Sequence, residues 1–113
     1  MPESAGLEIY HVIHVIVRVE LHEGRRSDFL EEFQRVVPLV LEETGCLAYG
    51  PAIDADTDIE GQATSGDDVV TIVEAWQSLG HLNDHLVAQH MVDYRPRVKP
   101  MIRQATLQIL QPA

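Results

Sequence analysis

The run from Tyr10 to His22, YHVIHVIVRVELH, alternates with a period of two. Odd positions carry His11, Ile13, Val15, Val17, Val19 and Leu21, almost wholly apolar; even positions mix Val12 and Ile16 with His14, Arg18 and Glu20. Successive side chains of an extended chain point to opposite faces, so this is a strand with one strongly buried face. Glu23-Gly24 then turns the chain. From Arg25 to Thr44 the period lengthens. Phe29, Phe33, Val36, Val37, Val40 and Leu41 recur at three- and four-residue spacing, the stripe of an amphipathic helix. Ser27 or Asp28 is placed to cap this helix and Gly45 to end it. Pro38 inside the stripe predicts a kink or a break, because proline lacks the backbone donor and crowds the preceding turn.

Cys46–Ile53 (CLAYGPAI) reads as a second strand, with Gly50-Pro51 predicting a bulge or an edge position. Residues 54–68 hold six acids and no base among Gly, Ser and Thr, the signature of a solvated loop. Val69–Trp76 (VVTIVEAW) is a third strand. Ser78 is placed to cap a helix from about Leu79 to Ala88, a further turn or two covers Met91–Val98, and Pro100 stops it. Ala105–Leu110 (ATLQIL) alternates again as the fourth strand. The expected fold is α+β: a ferredoxin-like βαββαβ unit, one domain over residues 1–113 with its core at about 10–111.

Two helices cover one face of a four-stranded sheet. Yet Val69 and Val73 point to one side of the third strand, Val70, Ile72 and Trp76 to the other, and Val12 and Ile16 lie on the mixed face of the first. A single copy would expose that apolar surface, so a homodimer packed sheet to sheet is expected.

Charge narrows the partners. Eighteen acids against eight Lys and Arg give a formal −10, a field that repels phosphate backbones and anionic lipid, so nucleic acid and membrane surfaces are not expected partners. A neutral small molecule fits better. No apolar run approaches the ~18 residues of a membrane span, and the acidic start MPESAGLEIYH lacks the basic flank of a secretory leader. The single cysteine, Cys46, forms no internal disulfide, which suits a reducing cytoplasm.

The densest chemistry lies in EAWQSLGHLNDHLVAQH, residues 74–90, with His81, His85 and His90 inside ten positions. His81 and His85 share a helix face at i,i+4, a spacing that suits a metal pair. His90 lies about 140° round a regular helix from His85, off that face unless the helix breaks. With no third ligand on that face, no metal is assigned. His81 reads as a surface residue and His90 as a packed, hydrogen-bonded one. His85 is either a pocket residue with a chemical role or plain packing. Glu74, among apolar strand neighbours, is a carboxylate whose pKa burial raises, or one that pairs with a histidine, or a structural acceptor. Tyr49, Trp76 and Tyr94 are candidates for a flat wall around a planar ligand, or core pieces. Asp54, Asp56 and Asp58 imitate the start of a calcium loop, but Ile59 stands where glycine is needed and Ser65 where the bidentate Glu belongs.

Glu74, Trp76, Leu82, His85 and His90 in that block, with Glu43, Gly45, Cys46 and Tyr49 in EETGCLAY, make the chain resemble the antibiotic biosynthesis monooxygenase family of dimeric α+β barrels. VVPLVLEETGCLAYGPAIDADTD, HMVDY and LQILQP are similar to its small bacterial quinol monooxygenase branch, and the likeness runs from about Val12 to Pro112. The resemblance implies an enzyme that oxidises a hydroquinone or phenol with O₂, needing no cofactor, in a pocket between sheet and helices. Haem-degrading relatives carry Asn, Trp and His where this chain has Val17, His85 and Arg95, so haem cleavage is not expected. In that pocket a neutral histidine is the natural base near pH 7. His85 is assigned that role, Glu74 that of its orienter, and Tyr49, Trp76, His90 and Tyr94 the substrate pocket. An isomerase on the same fold and a non-catalytic dimeric quinone-binding module are the alternatives.

Overall fold

A computed structural model describes residues 11–113. The start of the first strand at Tyr10 and the reading of the leader region fall outside the described residues. The elements are β1 (Ile13–Leu21), α1 (Arg26–Leu41), β2 (Cys46–Ala52), β3 (Val69–Trp76), α2 (Leu79–Leu86), α3 (Gln89–Val98), a 3-10 turn (Lys99–Met101) and β4 (Ile102–Leu110). The four strands form one antiparallel sheet in the order β2-β3-β1-β4. This is the ferredoxin-like α+β fold expected, with three helices where two were counted.

The alternation of β1 does what it foretells. Ile13, Val15, Val19 and Leu21 are buried on the helix side with Val70, Ile72 and Trp76 of β3, Ile13 standing opposite Trp76 and Val19 opposite Val70. Phe29, Phe33, Val36 and Val40 of α1 close the core from above. Pro38 does not break α1, which runs through it. Both Pro38 and Gln34, whose carbonyl loses its partner, face solvent, so water satisfies that group. The N-cap is Arg25, without a side-chain cap, rather than Ser27 or Asp28. Ser78 does cap α2, its hydroxyl accepting from the His81 N–H.

β2 is an edge strand, and its pairing slips between Cys46 and Ala48 rather than at Gly50-Pro51. The acidic loop is stitched rather than open. The Asp54 carboxylate accepts the N–H groups of Ser65 and Gly66, which hold its carboxyl below the usual range. On the uncovered sheet face His14, Val73 and Leu110 are exposed and Ile16 is half-buried, whereas Val69, expected in that patch, is already buried. No helix among the described residues is long and apolar enough to cross a membrane.

Candidate functional site

The site forms where the end of α1 meets the junction of α2 and α3. Glu43 follows the last turn of α1, its N–H bonded to the Val40 carbonyl. Gly45, at φ +83, then turns the chain into β2, and its carbonyl accepts the Gln77 N–H ahead of α2. A side chain there would collide with the His81 ring, whose Cγ lies 2.3 Å from where a Cβ would stand. His81 is therefore a packing residue against that turn, with Nδ1 2.7 Å from the Ser78 hydroxyl. Its face is not a metal pair.

The helix breaks between His85 and His90. Ala88 is extended at φ −60, ψ 140, and α3 restarts at Gln89. That break returns His90 to the side of His85. His85 Nδ1 lies 2.8 Å from Glu43 Oε2, and His90 Nε2 lies 2.7 Å from the same oxygen. A carboxylate oxygen only accepts, so both nitrogens donate, and a neutral His85 is left with a bare Nε2. Glu43 is the residue that sequence reasoning missed as part of the site, although it stands in the EETGCLAY stretch.

Glu74 is not the orienter of His85. Its Oε1 accepts the Trp76 indole N–H at 2.9 Å and stands 4.0 Å from His85 Nε2, beyond hydrogen-bond range. Burial pushes the Glu74 carboxyl up, and the Trp76 hydrogen bond offsets part of that rise. A cavity of ≈ 190 Å³ opens in front of this group, lined by Tyr49, Glu74, His85, Tyr94 and Arg95 among apolar neighbours. Trp76 and His90, expected in the wall, stand behind it. Trp76 is wholly buried with its ring 4.6 Å from that of His85, and His90 sits on the far side of Glu43, partly exposed. The Tyr49 ring meets His85 edge-on at 5.3 Å and stacks on Phe33 at the same distance, which fixes it as a flat wall. Burial pushes the Tyr49 and Tyr94 hydroxyls well above their usual range, so both stay neutral. The Cys46 thiol is likewise pushed up, by burial and by Glu43, which makes it a poor nucleophile.

Glu43, His85 and His90 each bring one ligand atom within 4.8 Å of the others. Their contacts are hydrogen bonds, however. Ligand atoms around a tetrahedral zinc, each ~2.0 Å from the ion, stand about 3.3 Å apart, so a metal would have to spread this group.

The profile of antibiotic biosynthesis monooxygenases matches residues 12–97. The chain belongs to the antibiotic biosynthesis monooxygenase family. A relative described as "Probable quinol monooxygenase YgiN" from Escherichia coli K12 is 34% identical over 103 residues, 89% of this chain and 98% of the relative. A conserved protein from Methanosarcina mazei Go1 superposes with a TM-score of 0.80 at 16% identity, covering 96% of this chain and 99% of that one. A protein from Mycobacterium tuberculosis does so at 0.74 and 21%, covering 90% and 95%. The two superpositions speak for the fold alone. Antibiotic biosynthesis monooxygenases share that fold, and the reaction of any one is set by its site.

Proposed function

We propose that the chain is a monooxygenase of small electron-rich aromatics, a hydroquinone or phenol, that uses O₂ without a resident cofactor and works as a homodimer. The observation that carries this reading is the Glu43–His85 bond at 2.8 Å beside a cavity walled by Tyr49 and Tyr94. By accepting the Nδ1 proton, Glu43 holds His85 in the tautomer whose Nε2 accepts a proton. A substrate hydroxyl in the cavity that His85 lines donates its one hydrogen bond to Nε2. Its proton passes to Nε2, and the resulting anion passes an electron to O₂. Recombination at a ring carbon and loss of water complete the balance: hydroquinone plus O₂ gives hydroxyquinone plus water. A largely apolar cavity keeps bulk water from the reactive pair. The similarity to a relative named as a quinol monooxygenase supports the same substrate class.

Oxygen uptake with a panel of hydroquinones, read above no-enzyme and heat-killed blanks, is the test. His85→Ala is expected to lower turnover by roughly 10²–10⁴-fold. His85 is buried, so His85→Gln, closer in volume, separates loss of the base from loss of the fold. Wild-type rates in a folded His85 variant would reduce the residue to packing. Proton exchange on a carbonyl substrate with no oxygen uptake would point to the isomerase instead.

A further inference from the structure

The inner cavity does not end at the ring it would hold. Val17, Ile72, Tyr94 and Arg95 line both that cavity and a second hollow, an open groove of ≈ 690 Å³ between α3, the 3-10 turn and the helix side of β4. At ≈ 190 Å³ the inner cavity falls short of the ~300–1,000 Å³ typical of pockets for drug-sized ligands, so it takes little more than a ring. The groove is much the larger part of the space and differs in chemistry. Nine of its twelve lining residues are apolar, Val19, Phe29, Val98 and Ile102 among them. Its two cations are Arg95 and Lys99, and Arg95 already donates to the Leu86 carbonyl at 2.7 Å. That leaves Lys99 as the one cation without such a commitment, too few for a phosphate or nucleotide tail.

We infer that the substrate is an amphiphile: a dihydroxy-aromatic ring at His85 carrying an apolar alkyl or isoprenoid tail that lies in the groove. This rests on the reading of the inner cavity as a quinol site. The four shared residues form the passage between the two parts, and Val17 and Ile72 make that passage apolar. A ring alone would leave the exposed apolar wall of the groove, Val92, Pro96 and Ala105, in water. A tail removes that surface from solvent at the hydrophobic gain of each buried methylene.

The test measures dissociation constants for hydroquinone and its methyl, butyl and octyl derivatives under anaerobic conditions, where turnover cannot occur. Trp76, the single tryptophan, reports binding by fluorescence quenching because its ring lies 4.6 Å from that of His85. Affinity is expected to rise roughly 2–4-fold per added methylene until the groove is filled. Ala105→Glu, an exposed position on the groove wall, is expected to flatten the series. Equal affinity along the series, or the same slope in Ala105→Glu as in wild type, would overturn the proposal, the latter because the tail then binds elsewhere. The two readings fail separately. A steep series without oxygen uptake removes the monooxygenase and keeps the tail site, whereas oxygen uptake with a flat series does the reverse.

Discussion

Glu43 and His85 are 42 positions apart, and no spacing rule joins them. In the sequence Glu43 stands out only through the family resemblance, while Glu74, in an apolar strand, reads as the orienter of His85. The fold reverses the two: Glu43 takes the histidines, and Glu74 takes the Trp76 indole. Glu43→Gln puts an amide donor or a weaker acceptor against His85 Nδ1 and so disturbs the tautomer. Turnover is expected to fall by roughly 10²–10⁴-fold while the melting temperature moves little, which steady-state kinetics beside thermal unfolding will show. A loss of both together would make Glu43 a structural strut. At Glu74 the prediction concerns pH. Burial raises its folded pKa above the unfolded value of ~4.3, so its contribution to stability is whole below that value and is lost as pH rises through the folded one. Glu74→Gln keeps an acceptor for Trp76 and removes the titration. Denaturant unfolding should therefore show wild type losing ground to the variant from about pH 4 upward. A gap that does not change with pH would mean the carboxylate is not desolvated.

Among the elements, those with two contrasting faces were legible. β3 occupies the eight residues its pattern marks out, and of the stripe expected on α1 Phe29, Phe33, Val36 and Val40 are buried, while Val37 is half-buried and Leu41 is exposed. β4 begins three residues earlier than its alternation suggests. Eight of its nine residues are exposed, so burial imposes little pattern on it. The break at Ala88 has no glycine or proline to announce it, yet without it the Glu43 pair could not form. Gly45 sets the other half of that geometry, since its positive φ and its contact with His81 fix the α1–β2 turn against α2. Gly45→Ala should destabilise by about 1–3 kcal/mol or more, from the left-handed strain and the overpacking together, as chemical denaturation will measure. It should also weaken turnover, because α2 carries His85. A neutral effect would mean that His81 swings aside freely.

At the scale of the whole molecule, the uncovered sheet face carries Val73 and Leu110, 44% and 45% exposed, beside half-buried Ile16. A second copy laid on that face would remove them from water, and light scattering after size exclusion should give twice the chain mass. Val73→Asp should return a folded monomer, since the position is exposed in the single chain. An unchanged mass in that variant would place the interface elsewhere. Each copy carries −10, so added salt is expected to strengthen the pair. The strand order bears on how the molecule is made. β1, the first strand described, lies in the interior of the sheet, and one of its two neighbours is β4, the last. During synthesis β1 waits half-paired until everything between them has left the ribosome, and that closure spans nearly the whole chain. Such long-range pairing is slow. A nascent chain stalled before Ile102 would hold an apolar strand with one open edge, the form in which this protein is most exposed to aggregation and most in need of a chaperone.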